Sequence, residues 1–319
     1  MNSLEQPRVA VIVGPTGVGK SALAVAIAEH LRGEIVNADS RQLYIGMDIG
    51  TAKPTAEQRA RVPHHLLDVC APDQPLDVAK FAALGRRAIE DIAARCRPVI
   101  VCGGSGLYLK VLLRGVFLGP AASPELRREL LKQSAQHGPQ YLHQRLRAVD
   151  PQSAQRIAPR DVVRVVRALE VFYLTGTPLS VYHQHHGFSQ ARYETLMLGL
   201  TMERERLYAR IDRRFDAALA SGFLDEVRAL LAQGYDFGRP PLSTIGYRHL
   251  AAYLRGEMAL EQAVALAKRD TRRFAKRQLT WFRRDGQIRW MTPEQAQERA
   301  LEMFSRFLRA DRPCSVAIS

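Results

Sequence analysis

Apolar positions in the N-terminal third fall in short unbroken runs separated by stretches of helical period. Val9-Ala-Val-Ile-Val13, rich in β-branched residues, predicts a buried strand. It runs through a glycine-rich turn into Ala22–Leu31, a helix. A second apolar step, Glu34–Ala38, stops at Asp39. A helical stretch at Phe81–Arg95 leads to another strand, Pro98–Cys102, closed by Gly103-Gly-Ser-Gly106. Strands alternating with helices, with glycine-rich strand ends, predict an α/β fold with a parallel sheet.

From about Gly115 the pattern changes. Pro124–Gln136, Gln140–Arg147 and Asp161–Leu174 have helical period and are rich in Arg, Gln and Ala, and strand character returns only at Glu194–Leu200. Residues 116–192 therefore read as a mostly helical insertion, with 1–115 and 193–319 forming the core. Helices are expected at Glu203–Gly222 and Leu224–Gln233, then a loop at Pro240-Pro241 and a long basic helix over Leu260–Arg284. Gln295–Leu308 is helical in period but carries no motif.

Composition narrows the partners more than the fold. Charged residues make up 24% of 319, as in an ordinary globular protein, which excludes a disordered or coiled-coil chain. Lys and Arg number 46 against 32 Asp and Glu, a net +14 that points to a polyanion such as nucleic acid. Cys70, Cys96, Cys102 and Cys314 form no C-x-x-C pair and read as idle thiols in a reducing compartment. With no signal-peptide pattern and no apolar run long enough to span a bilayer, the expectation is a cytoplasmic protein without a membrane partner.

Gly14-Pro-Thr-Gly-Val-Gly-Lys-Ser21 is a full G-x-x-x-x-G-K-[ST] phosphate loop, set between a strand and a helix as that motif requires. Its glycines let successive amides turn inward onto phosphate oxygens; Lys20 adds a charge, and the Ser21 hydroxyl suits Mg²⁺. Neither the Asp-Glu strand end of a motor ATPase nor an Asn-Lys-x-Asp guanine reader is present. Asp39 is the best-placed carboxylate and Asp68 a weaker one. Such a group can bind magnesium, act as a base or merely cap a turn, and spacing does not separate these roles.

On a helical wheel of about 100° per residue, Lys268, Arg269, Arg272, Arg273, Lys276, Arg277, Arg283 and Arg284 cover one half. Val264, Ala267, Phe274, Trp281 and Phe282 cover the other, expected to pack on the core. Only Asp270 is near enough in sequence to neutralise that face, so it reads as a polyanion surface. Arg160, Arg164 and Arg167 make a smaller stripe in the insertion.

Further segments join the phosphate loop: Asn37-Ala-Asp-Ser-Arg-Gln-Leu-Tyr44, Asp48-Ile-Gly-Thr-Ala-Lys-Pro54, Pro63-His-His-Leu-Leu-Asp68 and Gly103-Gly-Ser-Gly-Leu-Tyr108. Ile245-Gly-Tyr-Arg248 and Thr271-Arg-Arg-Phe-Ala-Lys-Arg-Gln-Leu-Thr-Trp281 follow. In this order they resemble the bacterial tRNA dimethylallyltransferases, over about residues 8–284. The resemblance implies a P-loop core with a helical insertion, acting as a monomer. It also implies transfer of a dimethylallyl group from dimethylallyl diphosphate to the exocyclic amine of the adenine 3′ of the anticodon in a tRNA stem-loop.

Carried over residue by residue, the resemblance assigns the diphosphate to Gly14, Pro15, Thr16, Gly17, Val18, Gly19, Lys20 and Ser21, with Ser21 as the Mg²⁺ ligand. Arg210 and Arg214 match the family's R-I-x-x-R pair, and Arg214 is assigned to the diphosphate as well. Asp39 becomes the general base, with Thr16 and Lys20 completing the catalytic set. Asp39, Ser40, Arg41 and Gln42 are expected to contact the target adenine and its neighbours. Ser105 stands where the family usually has Thr and keeps the hydroxyl. With Arg127 and the helix Val163, Arg164, Val165, Val166 and Arg167, it is expected to touch tRNA. So are Thr244, Ile245, Gly246, Tyr247, Arg248 and His249, and, on the basic helix, Lys276, Arg277, Gln278, Leu279, Thr280, Trp281, Phe282 and Arg283. Competing readings are an isopentenyltransferase of free adenine nucleotides, a P-loop small-molecule kinase and a non-catalytic RNA-binding module.

Overall fold

The computed structural model describes residues 6–74, 76–115, 119–120, 122–186 and 192–309. Among them, β1 (Arg8–Val13), β2 (Glu34–Asn37), β3 (His64–His65), β4 (Val99–Cys102), β5 (Glu194–Leu200) and β6 (Ile288–Met291) form one sheet in the order β3-β2-β4-β1-β5-β6. Every pairing in it is parallel. Strands alternate their side chains between faces, and β1 shows what that does. Val9, Val11 and Val13 pack with α3 (Val78–Ala94) and α4 (Gly106–Arg114). Ala10 and Ile12 face the other way, onto α1 (Lys20–Leu31) and the C-terminal α14 (Pro293–Arg309). The result is a three-layer α/β core.

Two strands escaped the sequence reading. β3 is only two residues long, too short for a periodicity to register. β6 closes the far edge on β5, and after it α14 buries Ala296, Ala300, Phe304 and Leu308 at helical spacing. The C-terminal stretch without a motif is therefore a core element.

The chain divides into two compact units, Met1–Leu113 with Arg192–Ser319, and Arg114–Ala191. The first also contains α2 (Ala56–Arg61), and the second carries α5 (Pro124–His137), α6 (Pro139–Val149), α7 (Pro151–Arg156), α8 (Val162–Thr175) and α9 (Leu179–His186) around a core of Leu130, Leu142, Leu146, Val165 and Leu169. The larger unit continues after β5 with α10 (Arg204–Ala220), α11 (Phe223–Ala232), α12 (Tyr247–Leu254) and α13 (Leu260–Phe282). Cys70 and Cys102 are free thiols, and Cys314 lies outside the described residues.

Candidate functional site

The loops after β1, β2 and β4 leave the sheet at the same carboxyl edge, where open α/β sheets bind ligands. β1 delivers Gly14–Lys20. Gly14 has φ 141°, and a Cβ there would lie 2.6 Å from the Leu200 carbonyl oxygen, so only glycine permits this turn. Val18 points its side chain into the core, leaving the loop's backbone toward the site. Lys20 Nζ donates to the Pro15 carbonyl at 2.8 Å, and burial pushes its amine down to about 8, against the opposing pull of Cys102 and Asp39.

β2 delivers Asp39. Its backbone N–H donates to Asn37 Oδ1 at 3.2 Å, and its Oδ1 accepts from the Arg41 N–H at 2.9 Å, leaving Oδ2 with no protein donor among the described residues. β4 delivers Ser105, whose Oγ accepts from the Ser40 N–H at 3.0 Å. Two cavities meet along this edge. The smaller, about 350 Å³, holds Gly19, Lys20 and Ser21. The larger, about 740 Å³, is walled by Tyr108, Phe215, Phe223, Phe274 and Trp281, with Ser40, Arg41, Thr244 and Arg248 among its polar lining. Thr16, Gly17, Asp39, Arg214 and Gln278 line both. A phosphate cradle thus opens directly into an aromatic chamber, with a carboxylate and a guanidinium at the junction. Arg214 makes no hydrogen bond or ion pair among the described residues; the surrounding protein lowers its pKa while Asp39 raises it.

Residues 42–285 match the sequence profile of the family described as IPP transferase, more than half of the chain. The chain belongs to the IPP transferase family. It is 50% identical over 291 residues to the tRNA dimethylallyltransferase of Geobacter metallireducens, covering 91% of this chain and 94% of that one. The crystal structure of the full-length tRNA isopentenylpyrophosphate transferase of Bacillus halodurans aligns with a TM-score of 0.70 at 39% identity, covering 95% and 97% of the two chains. A eukaryotic dimethylallyltransferase acting on tRNA aligns at 0.79 and 28%, covering 95% of this chain and 79% of its own. Like its relatives, this IPP transferase is an enzyme, and no helix among the described residues is long and apolar enough to cross a membrane.

Against that family pattern, some expected contacts are already occupied by protein. Arg127 and Arg167 both clamp Glu170, which is fully buried, and Val165 and Val166 sit in the core of the helical unit; of that group only Val163 and Arg164 stand out to solvent, and Arg164 pairs with Asp161 at 2.6 Å. Tyr247 is buried and donates to Glu226 at 2.6 Å, and His249 is buried beside Gly246 and Asp270. Gln42 spends its amide on the carbonyls of Thr51 and Ala52, both at 3.0 Å. Phe282 is core, Leu279 packs against the other core cluster, beside α1 and α14, and Thr280 bonds back to the Lys276 carbonyl. Gln278 is buried.

The half-cylinder of cations on α13 is also less free than the wheel implied. Lys268 pairs with Asp216 at 2.6 Å and Arg272 with Asp212 at 2.7 Å, both carboxylates of α10 that sequence distance concealed. Asp270 takes Arg269 and Arg248. Lys276, Arg277, Arg283 and Arg284 keep no ion pair among the described residues, and Arg277 lies over the Phe274 ring at 5.7 Å. Phe274 and Trp281, expected in the core, are 37% and 40% exposed because they wall the chamber. Asp68 is excluded as a site carboxylate: Lys53 at 2.5 Å and Arg59 at 2.8 Å hold it, and they outweigh the upward push of burial on its pKa.

Sequence reasoning passed over Glu226 altogether. It accepts from the backbone N–H groups of Asp48, Ile49 and Gly50 at 2.9, 2.7 and 3.1 Å, and so fixes the loop whose Ile49–Ala52 stretch lines the larger cavity. A lone Glu inside an amphipathic helix carries no signal of that role.

Proposed function

We propose that this enzyme transfers a dimethylallyl group from dimethylallyl diphosphate to the exocyclic amine of the adenine 3′ of the anticodon in tRNA, releasing diphosphate. One observation carries the reading: Asp39 and Thr16 stand where the phosphate cradle meets the aromatic chamber. The diphosphate occupies the cradle and the allyl group reaches through the junction into the chamber. A chamber of about 740 Å³ suits a base together with a short prenyl chain, within the ~300–1,000 Å³ range of small-molecule sites.

The allylic C–O bond breaks and its electron pair leaves on diphosphate. Lys20, the loop amides and Arg214 stabilise that charge, which is larger in the transition state than in the substrate. Positive charge builds on the allyl carbon among aromatic faces, Phe274 and Trp281 included, that favour it electrostatically. The amine lone pair, weakened by delocalisation into the ring, forms the new C–N bond as Asp39 takes the amine proton. The base reaches Asp39 by leaving its stack, which an anticodon-loop nucleotide does more cheaply than a paired one.

Ser21 faces the cradle, and among the described residues no cluster of three or more His, Cys, Asp or Glu could cage a metal. A single hydroxyl suits Mg²⁺, which keeps waters and takes phosphate oxygens as its other ligands. Bound there, it would add Lewis-acid stabilisation to the leaving diphosphate. The open cations of α13 are assigned to tRNA phosphates.

Incubation with labelled dimethylallyl diphosphate and tRNA, AMP or ATP tests the reading. Label is expected on tRNA alone; label on a mononucleotide would overturn it. Asp39→Asn should abolish transfer while leaving tRNA affinity intact, and wild-type turnover in that variant would remove Asp39 as the base.

A further inference from the structure

Gln278 lies on the buried face of α13, one turn after Ala275 and one before Phe282, while its neighbours Lys276 and Arg277 face out. Its Oε1 accepts from the Thr16 N–H at 2.9 Å, and its Nε2 donates to the Gly104 carbonyl at 2.9 Å. The partners fix the amide's orientation. A peptide N–H can only donate and a carbonyl can only accept, so a flipped amide would make two repulsive contacts. One side chain therefore ties the loop after β1 to the loop after β4. Gly104 has no room for a Cβ because the same amide nitrogen stands against it.

We infer that Gln278 is a positioning residue for transfer. It anchors Thr16 at the junction of the two cavities and fixes the separation of the β1 and β4 loops that carry the phosphate cradle and Ser105. It is not an RNA contact, although it lies among cations on a helix expected to face tRNA. The strap removes the Thr16 N–H from the phosphate-binding set, leaving the later amides of the loop for the diphosphate. It also makes the cradle's shape depend on the seating of α13, one residue from Arg277. The inference rests on the reading that the cradle holds a diphosphate; the strap itself is geometric.

The test compares full-length wild type, Gln278→Leu and Gln278→Glu. Each is measured for Thr16 amide hydrogen exchange without substrate, for affinity toward inorganic diphosphate and toward unmodified tRNA, and for turnover. Gln278→Leu removes both bonds. Its Thr16 amide should exchange at least about tenfold faster while the β1 amides stay protected. Its kcat should fall about ten- to a hundredfold with tRNA affinity within about twofold of wild type. Gln278→Glu keeps the acceptor for Thr16 but sets a carboxylate against the Gly104 carbonyl and the diphosphate; its affinity for inorganic diphosphate should fall about tenfold. Unchanged Thr16 exchange in Gln278→Leu, or an activity loss explained wholly by weaker tRNA binding, overturns the inference. If Gln278→Leu does not fold, wild-type turnover and diphosphate affinity in Gln278→Glu do the same. Should wild type itself fail to bind diphosphate, the reading of the cradle falls, while the exchange data still decide the strap.

Discussion

Lys20 and Arg167 are both cations held against oxygen atoms of the protein, in opposite ways. Arg167 and Arg127 converge on Glu170, a carboxylate with no exposed surface, and their hydrogen bonds overcome the push of burial to hold it below the usual carboxylate range. Lys20 has only the neutral carbonyl of Pro15, and it is driven down to about 8. In the helical unit the charge is satisfied and holds structure together. In the cradle the charge is left without a carboxylate, at a cost in desolvation that an incoming anion offsets. A cation kept for a ligand is marked by what the fold withholds from it, and Arg214 at the junction shows the same mark.

The sharpest way to break the contrast is to remove one charge from each region. Lys20→Met should lower transfer about 10²–10³-fold, the scale for losing one preorganised charge at a leaving group, with the protein folded and tRNA affinity kept. Steady-state kinetics check it; a loss below about threefold would return Lys20 to a structural role. Glu170→Gln, by contrast, should destabilise the helical unit by about 2–3 kcal/mol. That is less than breaking a fully buried pair, because Arg127 and Arg167 are partly exposed and solvent screens them. Urea unfolding followed by helical signal measures this, with kcat per folded molecule near wild type.

The same contrast explains which parts were legible beforehand. The cradle is contiguous: one run of residues carries its glycines, lysine and hydroxyl, and the flanking strand and helix are local too. Asp39 stands at the end of an apolar run, where the sheet's carboxyl edge had to be, whereas Ser105 comes only from the family resemblance. What escaped depends on distant chain. Asp212 and Asp216 neutralise an arginine and a lysine that a helical wheel counts as free, and Glu170 also takes Arg127, 43 residues away. The wheel also sent Phe274 and Trp281 to the core, since periodicity does not distinguish a core wall from a chamber wall. Gln278 looked like one more polar residue on an RNA-facing helix until its two backbone partners, 262 and 174 residues away, were in place.

Proton uptake gives a finer test of the cradle. The Lys20 amine is depressed in the ligand-free fold, so it is charged below about 8 and neutral above. Diphosphate favours the charged form, so binding should draw in a proton near that pH and weaken as pH rises through it, by up to about tenfold for one lost charge. The stability signature has its own sign. Because the folded pKa lies below the unfolded one, the unfolded chain holds more protons between about 8 and 10.5, and stability rises across that window. Titration calorimetry with inorganic diphosphate from pH 6.5 to 9.5 separates this from a flat profile, which would mean that Lys20 does not meet the anion.

The smallest expected effect distinguishes open cations from paired ones on a single helix. If α13 meets tRNA through phosphates, each cation that meets one releases a counterion, and removing it flattens the salt dependence of binding by about one unit of log–log slope. Lys276 has no ion pair among the described residues, whereas Arg272 is held by Asp212 at 2.7 Å and lies within 6.0 Å of the Tyr208 ring. Lys276→Ala should therefore reduce the slope by about one unit, and Arg272→Ala should leave it nearly unchanged while costing a few tenths of a kcal/mol in stability. Equal slopes in the two variants would show that Asp212 releases Arg272 when RNA arrives. Pairing in the free protein would then not reserve a cation for structure, and the line drawn between Arg167 and Lys20 would have to rest on burial alone.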